Sequence, residues 1–190
     1  MEVSLVKGEK VDLTKGNAGL LAVGFGVGWD INKGATGTYD LDLFAFALNK
    51  ENKLTVPDHI TYFGNKEGIP GVKVSEDNLT GEGEGDDETV TITFDKIHPE
   101  TERIILGVNI YQAASKGQRF GMVQNSYIRA FNSATEEKLN RLDLNEDFGA
   151  NTGVVMGQLY RHNGEWKFEA IGKGVDGDIN QIVAAYVASL

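Results

Sequence analysis

Most of the chain alternates apolar with polar or very small residues at a period of two, the mark of strands that bury one face. Leu21, Val23, Phe25, Val27 and Trp29 interleave with Ala22, Gly24, Gly26 and Gly28. One face of that strand is bulky and the other nearly bare, so another backbone can lie close against it. Residues 89–94 set threonines outward against Val90, Ile92 and Phe94 inward, as a half-buried antiparallel strand requires. Residues 103–111 are apolar almost throughout, which predicts a strand in the middle of a sheet. Asn163-Gly164 separates two alternating runs within 159–168, the strongest short hairpin signal in the chain. Further strands fit 3–6, 11–13, 41–48, 59–63, 72–74, 127–131 and 139–144.

Only the C-terminus carries a helical period: Ile179, Ile182, Val183, Tyr186, Val187 and Leu190 fall on one face, and Asp178 with Gln181 forms a capping box at its start. Many short strands between Gly and Asn turns, with one late helix, predict an all-β fold. Its form is a two-sheet antiparallel β-sandwich with a C-terminal amphipathic helix. No repeat or linker divides the sequence, so residues 1–190 read as a single domain.

Composition sharpens this picture. Of 190 residues 41% are hydrophobic, enough for a packed core, and the 24 glycines fit a chain rich in tight turns. Acidic residues outnumber basic ones 28 to 18, a net charge of −10 that argues against nucleic acid as a partner. The absence of cysteine excludes disulfides, thiolate nucleophiles and Cys-ligated metals. Nothing approaches the ~18 continuous apolar residues of a membrane span, and the N-terminus has no leader-like run. The expectation is a cytoplasmic protein with no direct membrane insertion.

The negative charge is concentrated. Residues 76–88 hold seven carboxylates, Glu76, Asp77, Glu82, Glu84, Asp86, Asp87 and Glu88, with no basic residue among them. Such a loop either stays disordered or holds a cation. Asp40 and Asp42 stand at i and i+2 at the start of a predicted strand, so both project to one side while Leu41 and Leu43 take the other. Asp30 follows the glycine-rich strand at another strand end. Gly81, Gly83 and Gly85 allow sharp bends, and Asn78 and Thr80 add neutral oxygens. An all-oxygen donor set without His or Cys is calcium chemistry, and the surplus of acids predicts two ions. The ligand pool is Asp30, Asp40, Asp42, Asp77, Asn78, Glu82, Glu84, Asp86, Asp87 and Glu88.

Other motifs carry less. Asp176-Gly177-Asp178-Ile179-Asn180 begins like an EF-hand, but Gln181 stands where that loop needs Gly and Val187 where it needs Glu. Gly172-Lys173-Gly174-Val175-Asp176-Gly177 matches a dinucleotide-binding glycine pattern, yet no second parallel strand follows and two Asp residues would repel a pyrophosphate; it reads as a strand-to-helix turn. His59, His98 and His162 fall at turns or strand ends as surface residues, and no nucleophile elbow exists. The expectation is therefore no catalytic residue. Two rivals remain open: a metal-dependent hydrolase using the same acids, with Arg119 or Arg129 beside the ion, and a metal-free assembly subunit with an acidic face.

At these residues the sequence resembles the TerD family of tellurite-resistance and calcium-binding stress proteins. The resemblance lies in Val3-Ser4-Leu5, Gly28-Trp29-Asp30, Tyr39-Asp40-Leu41-Asp42, the run from Asp77 to Glu88, Phe120-Gly121, Tyr127-Ile128-Arg129 and Leu159-Tyr160-Arg161-His162-Asn163-Gly164-Glu165-Trp166-Lys167-Phe168. It implies a sandwich reminiscent of C2 domains and calcium held by the clustered acids. It also implies a bacterial cytoplasmic stress role alongside other tellurite-resistance proteins, some membrane-bound. The chain departs from the family pattern at Leu43-Phe44, where Ala-Ser is usual, at Glu76 in place of Gly, at Gln112 in place of Asp and at Gln158 in place of Glu.

Overall fold

The structure is a computed structural model that describes residues 8, 10–12, 20–31, 37–55, 60–83 and 85–190. Among them the chain forms eleven strands: β1 (Lys10–Asp12), β2 (Ala22–Gly28), β3 (Leu41–Leu48), β4 (Ile60–Thr61), β5 (Val72–Val74), β6 (Glu88–Thr93), β7 (Arg103–Ile110), β8 (Tyr127–Asn132), β9 (Lys138–Asp143), β10 (Gly153–His162) and β11 (Glu165–Val175). Two one-turn helices, α1 (Ala113–Lys116) and α2 (Leu144–Asp147), sit in loops, and α3 (Ile179–Ala188) follows the last strand. The expected strand at 3–6 and position His59 lie outside the described residues.

The strands make two sheets, ordered β1-β11-β10-β7-β3-β4 and β5-β6-β2-β8-β9, with every pairing antiparallel. Mainly β, in two antiparallel sheets with a C-terminal helix, the fold is the one the sequence pattern implies. β7 is an interior strand, as its apolar run requires. Asn163 and Gly164 both take positive φ at the β10–β11 turn, and the two strands run well past the predicted hairpin. Gly172 to Val175 belong to β11 rather than to a turn: the glycine pattern there is strand, because Gly174 pairs with Val154 across the ladder. The α3 capping box is present, with Asp178 Oδ1 accepting from Gln181 N and Gln181 Oε1 accepting from Asp178 N.

Alternation along β3 decides where each side chain goes. Leu41, Leu43, Ala45 and Ala47 enter the core between the sheets, beside Val23, Phe25, Val27 and Trp29 of the glycine-rich segment. Phe44, Phe46 and Leu48 point to the outer face, where Ile179, Ile182, Val183 and Tyr186 of α3 cover them. Burying those apolar side chains against the sheet, rather than helix propensity, is what stabilises a ten-residue helix.

On the other sheet the outer face of β2 is glycine, and it is not left bare. A Cβ at Gly24 would lie 2.2 Å from the Phe131 ring, and one at Gly26 would lie 2.1 Å from the Asp86 carboxylate. Side chains, more than a second backbone, fill the strip that the sequence leaves open.

Candidate metal centre

Asp42 takes the same outer-face parity as Phe44 and Phe46, two residues beyond the end of the apolar row. Asp40 stands just ahead of the strand, and Asp77 arrives from the segment after β5. Carboxylate oxygens of these three lie within 4.8 Å of one another. Asp42 is only 1% exposed and Asp40 7%, whereas Asp77 is exposed. Asp40 Oδ1 and Asp42 Oδ2 are buried with no hydrogen-bond partner among the described residues.

Burial, with the repulsion of the neighbouring carboxylates added, dominates the electrostatics. The Asp40 carboxyl is pushed up to about 6 by burial and by Asp77. Asp42 goes up to about 8, first by burial and then by Asp40 and Asp77. Lys116 opposes both shifts but does not cancel them. Its ammonium rests over the Tyr111 ring, 5.3 Å from the centroid.

The acidic segment is fastened to this point by Glu88. Among the described residues β4 pairs with β3 at Ala45 and Phe46 alone, which leaves the start of β3 an open edge there. There Glu88 Oε2 accepts from Leu43 N at 3.1 Å, while Oε1 accepts from Asn78 N at 3.3 Å. Burial raises the Glu88 carboxyl against those two donors. Asn78 folds the next turn. Its Oδ1 accepts from Thr80 N and Gly81 N, and its Nδ2 donates to Asp87 Oδ1 at 3.0 Å and to the Glu82 carbonyl. Gly81 sits at φ +71° with a Cβ position 2.5 Å from the Trp29 indole, so only glycine fits this turn. Asp87 Oδ2 accepts from Trp29 N at 2.8 Å.

The remaining acids of the pool have other attachments. Asp86 is clamped by Arg129, whose Nε donates to both carboxylate oxygens at 2.8 and 2.9 Å and whose terminal nitrogen lies 2.7 Å away; Tyr127 Oη donates as well, at 3.0 Å. Asp30 Oδ2 accepts from Asn125 Nδ2 at 2.6 Å on the surface. Glu82 is exposed, and Glu84 lies outside the described residues. The structure thus brings Asp40, Asp42 and Asp77 together, adds Glu88 and Asn78 beside them and sets Asp86 and Asp30 apart with partners of their own.

A groove of about 590 Å³ opens next to the trio, between the outer face of β3 and β7 and the start of α3. Asp42 and Asn109 lie in it, with Tyr62, Phe63 and Tyr111 on one side, and Gln112 lines it too. Asn109 and the groove escaped the sequence reading. The available signal was one polar residue inside the otherwise apolar run of β7.

The molecule is therefore an antiparallel β-sandwich with two buried carboxylates at one end of a sheet, each with one oxygen that meets no donor among the described residues. The TerD domain family matches residues 1–186, and the chain belongs to that family. It is 45% identical over 188 residues to general stress protein 16U of Bacillus subtilis, covering 98% of this chain and 97% of that protein. It is 38% identical over 187 residues to tellurium resistance protein TerD of Serratia marcescens, covering 98% and 97%. Its fold is shared with a crystal structure of a TerD homologue from Streptomyces coelicolor at TM-score 0.75 and 22% identity, over 87% of this chain and 96% of that one. No helix among the described residues is long and apolar enough to cross a membrane.

Proposed function

We propose that this protein is a non-enzymatic, calcium-binding member of the stress and tellurium-resistance family, in which Asp40, Asp42 and Asp77 hold the cation. One observation carries this most: two carboxylates are buried side by side, each with an oxygen that meets no donor, and a third carboxylate reaches them from the acidic segment. Burying such groups without a counter-charge is costly, and a divalent cation removes the cost. The donors are all oxygen, and Glu88 and Asn78 stand ready to stiffen the segment around the ion, which suits calcium better than a transition metal. A bound calcium ion supplies two positive charges, enough to let both buried acids ionise. A second ion would fall to the acids around Asp87, Glu82 and Asp30, and calorimetric stoichiometry measures it.

The hydrolase alternative finds less support. None of the described residues lining the groove is His, Arg or Lys, and Arg129 is already held by Asp86. The proposed role is cytoplasmic, with the ordered acidic face meeting other tellurite-resistance proteins. Calorimetric titration of calcium and thermal melting, with a chelator control, test the reading. Calcium at a hundredfold excess over its dissociation constant is expected to stabilise the fold by ~2.7 kcal/mol. The Asp40→Asn/Asp42→Asn double variant should lose that response. Absence of binding heat and of any melting shift at millimolar calcium would sink the proposal.

A further inference from the structure

Across the β3–β7 ladder the outer-face residues pair as Phe46 with Ile105, Phe44 with Gly107 and Asp42 with Asn109. The first two pairs are apolar and packed: α3 covers Phe44, Phe46 and Ile105, and the Phe44 ring fills the space above Gly107. The third pair changes character abruptly, just where α3 begins and the groove opens. Asn109 is 3% exposed, and its Oδ1 has no hydrogen-bond partner among the described residues. Residues directly opposed in an antiparallel ladder stand about 5 Å apart at Cα, so the two side chains lie next to each other on one face.

An unpartnered buried amide oxygen is as poorly suited to a metal-free interior as an unpartnered carboxylate. Here two such oxygens, Asp42 Oδ2 and Asn109 Oδ1, belong to residues directly opposed on the ladder, and a third, Asp40 Oδ1, belongs to a residue of the carboxylate cluster. Once the carboxylates are ionised all three oxygens are acceptors that cannot satisfy one another, and a cation satisfies them together. Asn109 also contributes what the acids cannot, an oxygen without added negative charge, and calcium sites commonly mix carboxylates with neutral carbonyl oxygens. Resting on the calcium reading above, we propose that Asn109 is a ligand of the same cation, approaching it through Oδ1 from the groove side. That makes Asn109 a determinant of affinity on the opposite strand from Asp42, in a stretch of β7 with no acidic residue.

Calorimetry of Asn109→Leu and Asn109→Asp with calcium, and luminescence lifetimes of terbium in water and heavy water, test this. Asn109→Leu is expected to bind calcium about tenfold more weakly and to leave bound terbium with an additional coordinated water. Its metal-free melting temperature should be no lower than that of the wild type, because the substitution removes an unsatisfied acceptor. Asn109→Asp should bind calcium more tightly while melting lower without it, because a fourth carboxylate joins the cluster. Wild-type affinity and an unchanged water count in Asn109→Leu would overturn the ligand role while leaving the calcium site intact. Should Asn109→Leu not fold, Asn109→Asp decides alone, and unchanged affinity there overturns the proposal. A wild-type protein that binds neither calcium nor terbium fails both readings.

Discussion

Asp86 and Asp42 occupy corresponding places on the two sheets. Each lies on the outer face of its sheet, the Asp86 side chain 6% exposed and Asp42 1%. Asp86 lies over Gly26 in a two-pronged grip from Arg129, with the Tyr127 hydroxyl behind it. Asp42 has carboxylates for neighbours, and among the described residues the cation that acts on it is Lys116, which rests on Tyr111. Asp86 has an ion-pair partner within the chain, whereas among the described residues Asp42 has none that offsets its burial. Acid count alone does not separate a structural carboxylate from a binding one, because what matters is whether the fold supplies the counter-charge.

The largest expected difference lies on the Asp86 side. Arg129→Ala leaves a buried carboxylate without its partner and should cost about 3 kcal/mol in urea denaturation, with or without calcium. A loss that calcium repairs would show that Asp86 belongs to the metal centre after all. Next in size is a dependence on pH in the calcium-free protein. Asp40 and Asp42 have an ordinary value of 3.8 but are held at about 6 and about 8 in the fold. Between those limits the folded state binds more protons than the unfolded one, so stability falls as pH rises from about 4 to about 8. Asp87 and Glu88, raised chiefly by burial, act in the same sense. Melting curves in chelator should therefore shift down on going from pH 5 to pH 8, and saturating calcium should flatten or reverse the trend. A rising curve in chelator would contradict the uncompensated cluster. The smallest effect is expected from Asp42→Asn without calcium at neutral pH, a melting temperature close to that of the wild type, since a carboxyl held at about 8 is already largely protonated there and the amide keeps its shape. A marked loss there would mean that Asp42, like Asp86, has a partner in the folded chain.

Much of this was legible in residue order. Period two gave β2 and β3, Asn163-Gly164 gave the hairpin, and the i, i+2 spacing of Asp40 and Asp42 put both acids on one side of a strand. Extent was harder to read. β11 continues through Gly172 and Gly174 because tertiary pairing to β10 overrides the turn preference of glycine. Partnership was harder still. Arg129 lies 43 positions from Asp86, and only the β2–β8 pairing, Gly26 opposite Arg129, brings them together. Asn109 was hidden for a related reason: its neighbour Asp42 is 67 positions away, and a single polar residue in an apolar run does not announce what it faces.

The alternation of β3 has one more consequence. Its two faces are so unlike, leucines and alanines toward the partner sheet and an acid followed by phenylalanines toward the helix, that a slip of one residue against β7 would exchange them. Asp42 would then be driven between the sheets and Leu43 would face the groove. A misregistered molecule would lose the cluster and its core together, so the proposed calcium uptake, followed during refolding, would report on the fidelity of strand pairing.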